Sequence, residues 1–185
     1  MEKRKNELVS KEMRERLNIN RDGQLTRDQW IDLLLEPSLI GGVIGVAILM
    51  LVVIRLPFMR GGLPLLLFIV ALGLTWYLVT RARRFTRLPV NYGRFLADVR
   101  ARPWWKFWRP YLFYKENDTP VEFLRWLPPR PILRINGEYM VYFLEDKNQR
   151  IILSLAPTNH DESGTWQPTT LFHERYNKRS GKRIR

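Results

Sequence analysis

Two apolar stretches decide how this chain reads: LIGGVIGVAILMLVVI at 39–54 and LPLLLFIVALGLTWYLVT at 63–80. The first holds sixteen apolar or glycine residues and the second eighteen residues without a charge. Between Ser38 and Thr80 the only charges are Arg55 and Arg60. About 20 residues of helix are needed to cross ~30 Å of hydrocarbon. The first stretch reaches that length if Arg55 extends outward and Pro57 sits at the interface. The link RLPFMRGG, with Pro57, Gly61 and Gly62, reads as a tight turn. The expectation is therefore a transmembrane hairpin, with helices over about 39–58 and 63–80.

Lysine and arginine counts orient it. Eight precede the first helix and six follow the second within twenty residues, against Arg55 and Arg60 in the link. This asymmetry predicts a two-pass protein of the plasma (inner) membrane with both termini cytoplasmic. Gly41 and Gly45 form a GxxxG on the first helix, and Gly73 lies on the second. Small residues at such positions serve helix packing, within the hairpin or between chains.

Composition bounds the rest. The chain has 185 residues, no cysteine, two histidines and a net charge of +13. Without cysteine there is no disulfide framework, thiol nucleophile or thiolate metal site. The charge is banded: residues 1–37 cancel at eight of each sign, 81–110 carry +8, 111–173 carry −2 and 174–185 carry +5. Basic bands beside a neutral body suit anionic head groups or nucleic acid.

Residues 1–37 read as a cytoplasmic helix–turn–helix arm. Leu8, Val9, Met13 and Leu17 fall at helical spacing, and Trp30 to Leu35 begin a second helix that ends at Pro37. The intervening NINRDGQLTRDQ, 18–29, resembles part of an EF-hand loop. Asn18, Asn20 and Asp22 occupy its alternating ligand positions, Gly23 the turn and Thr26 the ninth position. Gln29 stands where the family has a bidentate Glu. The rival reading is a plain turn with Thr26 as N-cap of the next helix.

Residues 81–130 form a basic, aromatic region. Tyr92, Phe95, Leu96 and Val99 repeat at i, i+3, i+4 and i+7, which predicts an amphipathic helix. In RPWWKFWRP the tryptophans Trp104, Trp105 and Trp108 interleave with Arg102, Lys106 and Arg109. These six are the candidate residues for docking to a membrane surface or a partner. The same composition could stack on single-stranded nucleic acid, or form the core of the following domain.

Residues 131–174 read as a small antiparallel β domain. Strands are expected at 132–135, 138–145 and 150–156, with turns at Asn136–Gly137 and 146–149. A polar loop with His160, Asp161, Glu162 and Ser163 follows, then a short segment containing His173 and Glu174, then a basic tail, 175–185, expected to be disordered. No recognised catalytic motif accompanies the polar cluster.

The fold class expected is thus membrane α+β: a two-helix hairpin with a small cytoplasmic domain containing an antiparallel β-meander. The function expected is a non-enzymatic scaffold, adaptor or assembly subunit without cofactor, in a larger membrane complex such as a secretion or conjugation apparatus. Its expected partners are a bilayer with anionic head groups and other subunits, itself included. The alternatives are a tethered nucleic-acid or polyanion binder, and a calcium-responsive regulator through residues 18–29.

Overall fold

The structure is a computed structural model. It describes residues 9–35, 42, 44–45, 63–98, 111–114, 120–127, 133, 137–147 and 149–181. The chain divides into two compact units, Met1–Gln29 with Leu88–Arg185, and Trp30–Arg87.

The first unit is built on a six-stranded sheet. Its strands are β1 (Val90–Asp98), β2 (Tyr111–Tyr114), β3 (Pro120–Phe123), β4 (Arg125–Trp126), β5 (Glu138–Asp146) and β6 (Gln149–Pro157). Their order is β3-β2-β1-β5-β6-β4. All neighbours are antiparallel except β4 and β6, where Arg125 and Trp126 run parallel to Ile151 and Ile152. β3 and β4 stand at opposite ends of this order, yet only Leu124 separates them in the chain. The sheet must therefore curl until its ends meet. Two bonds across the junction, Leu124 N–H to the Arg150 carbonyl (3.1 Å) and Leu127 N–H to the Ile152 carbonyl (3.1 Å), mark the closure. Closure removes the exposed edges an open sheet would carry.

The packed core includes Phe95, Ala97, Phe123, Trp126, Tyr139, Val141, Phe143, Ile152 and Leu155. Phe95, Phe123 and Phe143 meet pairwise edge to face, with centroids 5.4–6.0 Å apart. That geometry aligns ring edges with ring faces and adds to area burial. Along β1, buried Phe95 and Ala97 alternate with exposed Arg94 and Leu96, a period of two.

The hairpin β5–β6 carries an irregularity that matters below. Tyr142 pairs with Ser154 but Phe143 with Ile152, so Leu153 has no partner across the ladder. Such a bulge leaves backbone polar groups to be satisfied elsewhere.

Four α-helices are present among the described residues: α1 (Lys11–Asn20), α2 (Arg27–Leu34), α3 (Leu63–Arg87) and α4 (Thr170–Ser180). Ser10 caps α1 by accepting from Met13 N–H at 3.2 Å, and Thr169 caps α4 by accepting from Phe172 N–H at 3.4 Å. α4 ends at Gly181 in the left-handed region, φ 70°.

Several expectations are corrected here. α3 carries eighteen uncharged residues, 63–80, about 27 Å of helix, before its run of Arg81, Arg83, Arg84 and Arg87. Among the described residues no helix is long and apolar enough to cross a membrane. The two-pass hairpin, and with it the plasma-membrane placement with both termini cytoplasmic, is overturned by this finding. The first expected helix, 39–58, lies outside the described residues apart from Gly42, Ile44 and Gly45. The β-meander is likewise replaced by a closed mixed sheet, and residues 92–98, expected as helix, form most of β1. The basic residues Arg175, Lys178 and Arg179, expected in a disordered tail, lie on α4.

Candidate functional site

Two places collect the side chains that sequence reasoning singled out. The first is the loop between α1 and α2. Its residues turn inward onto the bulge of β6. Gln29 and Thr26 make a reciprocal capping box: Thr26 N–H donates to Gln29 Oε1 (3.0 Å), and Gln29 N–H donates to Thr26 Oγ1 (3.1 Å). Gln29 Nε2 then donates to the Leu153 carbonyl at 3.0 Å, which satisfies the residue that the bulge leaves without a ladder partner. Asn20 is fully buried beside it. With its amide oriented to suit these neighbours, Asn20 donates to Gln29 Oε1 at 2.9 Å and accepts from Ser154 Oγ at 3.1 Å. A closed network of this kind fixes one geometry, because each member left unpaired would cost its desolvation.

Asp22 is engaged too. Its carboxylate accepts from the Thr169 hydroxyl at 2.8 Å, and its carbonyl accepts from Arg175 Nη1 at 2.5 Å. Asn18 is exposed on α1. Of the four residues proposed as calcium ligands, Asn20 and Asp22 therefore spend their polar atoms holding the arm to the sheet and α4, and Thr26 spends its own on Gln29. Gly23 turns the chain at φ 72°, where any side chain strains the backbone. A Cβ there would meet Arg175 and Phe172 at an ordinary 3.6 Å. Gly23→Ala is accordingly expected to cost about 1–2 kcal/mol from backbone strain alone, measured as a drop in urea-unfolding free energy. Gly23→Asn should cost less.

The polar cluster after β6 is also tied in. His160 is buried, its Nδ1 accepts from Glu162 N–H at 3.1 Å, and its ring lies 4.8 Å from Trp166. Glu162 pairs with Arg14 at 3.1 Å, a half-exposed contact worth under about 1 kcal/mol. Tyr142 donates its hydroxyl to the Trp166 carbonyl at 2.6 Å. Burial, then the neighbouring Tyr92, pushes that phenol far above its usual range. Burial, then Arg175, lowers Arg179, whose Nη1 donates to the Leu88 carbonyl at 3.3 Å. Among the described residues no group of three or more His, Asp or Glu side chains could hold a metal ion.

The second place is α3, in the other unit. Its Arg81 is clamped: Nε donates to the Leu33 carbonyl at 3.0 Å, Nη1 donates to the Tyr77 hydroxyl at 2.7 Å, and the guanidinium lies 5.3 Å from the Phe85 ring centre. A cation at the last carbonyls of α2 also suits the negative end of that helix. This clamp defines a packed side of α3. Val70 and Leu78 are partly covered and Phe85 is buried, all spaced for the face of Arg81. The opposite side is open and apolar. Phe68 (66% exposed), Ile69, Leu72, Trp76 (73% exposed) and Val79 fall within an arc of about 100°. Sequence reading missed this division, because every face of 63–80 is apolar and only the packing partner distinguishes them.

The remaining sequence candidates are placed as follows. Arg102, Trp104, Trp105, Lys106, Trp108, Arg109 and Gly41 lie outside the described residues. Among the described residues a Cβ built on Gly45 or Gly73 meets nothing within 4 Å. Comparison of this chain with protein-family models, curated proteins and solved structures finds no match.

Proposed function

We propose that this protein is a non-enzymatic assembly subunit, an adaptor that works by holding protein partners, with the open side of α3 as its binding surface. The observation that carries this reading is the stripe Phe68, Ile69, Leu72, Trp76 and Val79, the most exposed large apolar side chains described on a helix whose Arg81 side is covered at Val70, Leu78 and Phe85. Contiguous large apolar side chains facing water mark interaction sites, and tryptophan is the residue type most enriched among those that carry binding energy. The buried side chains of the arm, Asn20 and Gln29, are used in holding it to the sheet.

The test is co-purification of the full chain from its native cells, with proteins identified by mass spectrometry and nucleic acid assayed in the same fraction. A fixed set of protein partners, or a complex of this chain with itself, is expected. Trp76→Glu should deplete it at least tenfold while leaving the thermal melt of the sheet unchanged. Nucleic acid as the sole companion would replace this reading with the polyanion-binding one. Partners unaffected by Trp76→Glu would also overturn it.

A further inference from the structure

We infer that His160 makes the turn 158–166 an acid-sensitive flap, closed while the imidazole is neutral and opened when the ring takes up a proton.

The turn follows β6 and ends in a short 3-10 stretch, Ser163–Trp166. Its inner surface is Trp166, which is fully buried and whose carbonyl accepts from the Tyr142 hydroxyl of β5 at 2.6 Å. His160 is buried against that indole, with ring centres 4.8 Å apart. Only one protonation state of His160 suits this place. A backbone N–H can only donate, so the 3.1 Å contact from Glu162 N–H makes Nδ1 an acceptor without a proton. The neutral ring then carries its proton on Nε2, which is buried and has no hydrogen-bond partner among the described residues. An imidazolium brings two N–H groups to the same place. One faces the Glu162 N–H where a hydrogen bond had been, the other stays unpaired, and a charge is buried with them.

The charged groups described about the turn do not reverse that balance. Within the turn, Glu162 is paired with Arg14 of α1 at 3.1 Å, and Asp161 is exposed. Arg21, just past α1, donates to the Thr165 carbonyl at 2.6 Å and adds a positive charge. From β5 come Tyr142, whose phenol burial keeps protonated, and Glu138, which is exposed and accepts from the Thr158 hydroxyl at 3.0 Å. On α4, His173 and Glu174 are exposed. The carboxylates that attract a proton are thus either paired or screened by water. The closed turn is held by the neutral ring, so its stability is present above the ordinary histidine value of about 6.5 and is lost as the pH falls below it. Opening uncovers Trp166 and releases Arg14 and Arg21. The arm keeps its own attachment to β6 through Gln29 and Asn20, which does not pass through the turn.

Hydrogen exchange of the full chain, read by mass spectrometry at about pH 8 and about pH 5 and corrected for the intrinsic pH dependence of exchange, tests the flap. Residues 158–168 of the parent should lose about tenfold in protection in acid, while residues 11–29 keep theirs. His160→Asn should be equally protected at both pH values, because its Oδ1 accepts from the same N–H two residues on and does not titrate. If that variant is open at both, nitrogen NMR of labelled histidine decides, since the chain has two histidines and His173 is exposed. The loss of protection in the parent should follow proton uptake by the His160 ring and not by His173.

Equal protection of the parent at both pH values, the same acid loss in His160→Asn, or opening that follows His173 would overturn the proposal. So would loss of protection in the turn and the arm together, which is unfolding of the whole unit. Stronger protection in acid would overturn it as well, and would show that the face of the Trp166 ring holds the imidazolium.

Discussion

Phe123→Ala is expected to lower the free energy of unfolding by about 3–5 kcal/mol, the range for deleting a buried aromatic ring. Phe123 is fully buried and sits where β3 passes into the junction that closes the sheet. Its ring meets Phe95 at 5.5 Å and Phe143 at 5.4 Å, both edge to face. Removing it breaks two of the three ring contacts at once and leaves a cavity between strands brought together only by closure. The neighbours are themselves held in ladders, β1 by β5 and β5 by β6, so they have little freedom to collapse into the space. Leu124→Ala is the matched control. Leu124 is adjacent in the chain but half exposed, and its truncation should cost under about 1 kcal/mol. Urea titrations followed by tryptophan fluorescence measure both. Equal costs for the two variants would mean that Phe123 does not fill a closed interior, and the closure itself would have to be abandoned.

How far the sequence already contained this arrangement varies from element to element. The β5–β6 hairpin was legible: apolar residues run along 138–145 and 150–156, and the polar DKNQ between them turns where Lys147 adopts φ 45°. The apolar residues on both faces of β5 also announced that something covers each side. β1 was not legible. Tyr92, Phe95, Leu96 and Val99 match a helical period, and the competing period of two rests on Phe95 and on Ala97, too small to register as a core residue. Pairing with β5 over seven residues decided the matter, and such pairing is a tertiary fact. Closure was invisible for a related reason. It depends on a two-residue parallel pair between β4 and β6, too short to leave a pattern. In α3 uniform apolarity hid the asymmetry and suggested a spanning helix. The packed side is set by Arg81 reaching the end of α2, a contact between residues 48 positions apart.

The arm shows the same limit most clearly, and Gln29→Glu tests it. At the level of sequence this change completes the calcium-loop pattern, since it restores the carboxylate at the closing position. The structure gives the opposite expectation: the variant should lose about 2–4 kcal/mol of stability and gain no calcium affinity. Gln29 is fully buried. Its Nε2 is the donor that reaches the Leu153 carbonyl at 3.0 Å, and its Oε1 accepts from Thr26 N–H at 3.0 Å. Glutamate keeps the acceptor but replaces the donor with a second carboxylate oxygen facing a carbonyl. The bulged residue then goes unsatisfied, and a charge is buried without a cation among the contacts made by Gln29. Burial favours the protonated acid in the folded state, so the penalty should be largest at neutral pH. It should shrink as the pH falls toward about 4.3, the ordinary glutamate value. Gln29→Met separates the two parts of the loss, since it removes the donor without adding charge and should show no such recovery in acid. Millimolar calcium should leave the fluorescence of Trp30 unchanged in both the parent and the Gln29→Glu chain. A calcium-dependent gain in the melting temperature of Gln29→Glu would show instead that Asn20 and Asp22 can leave their partners on Ser154 and Thr169, and that the arm is a metal loop held closed rather than a brace.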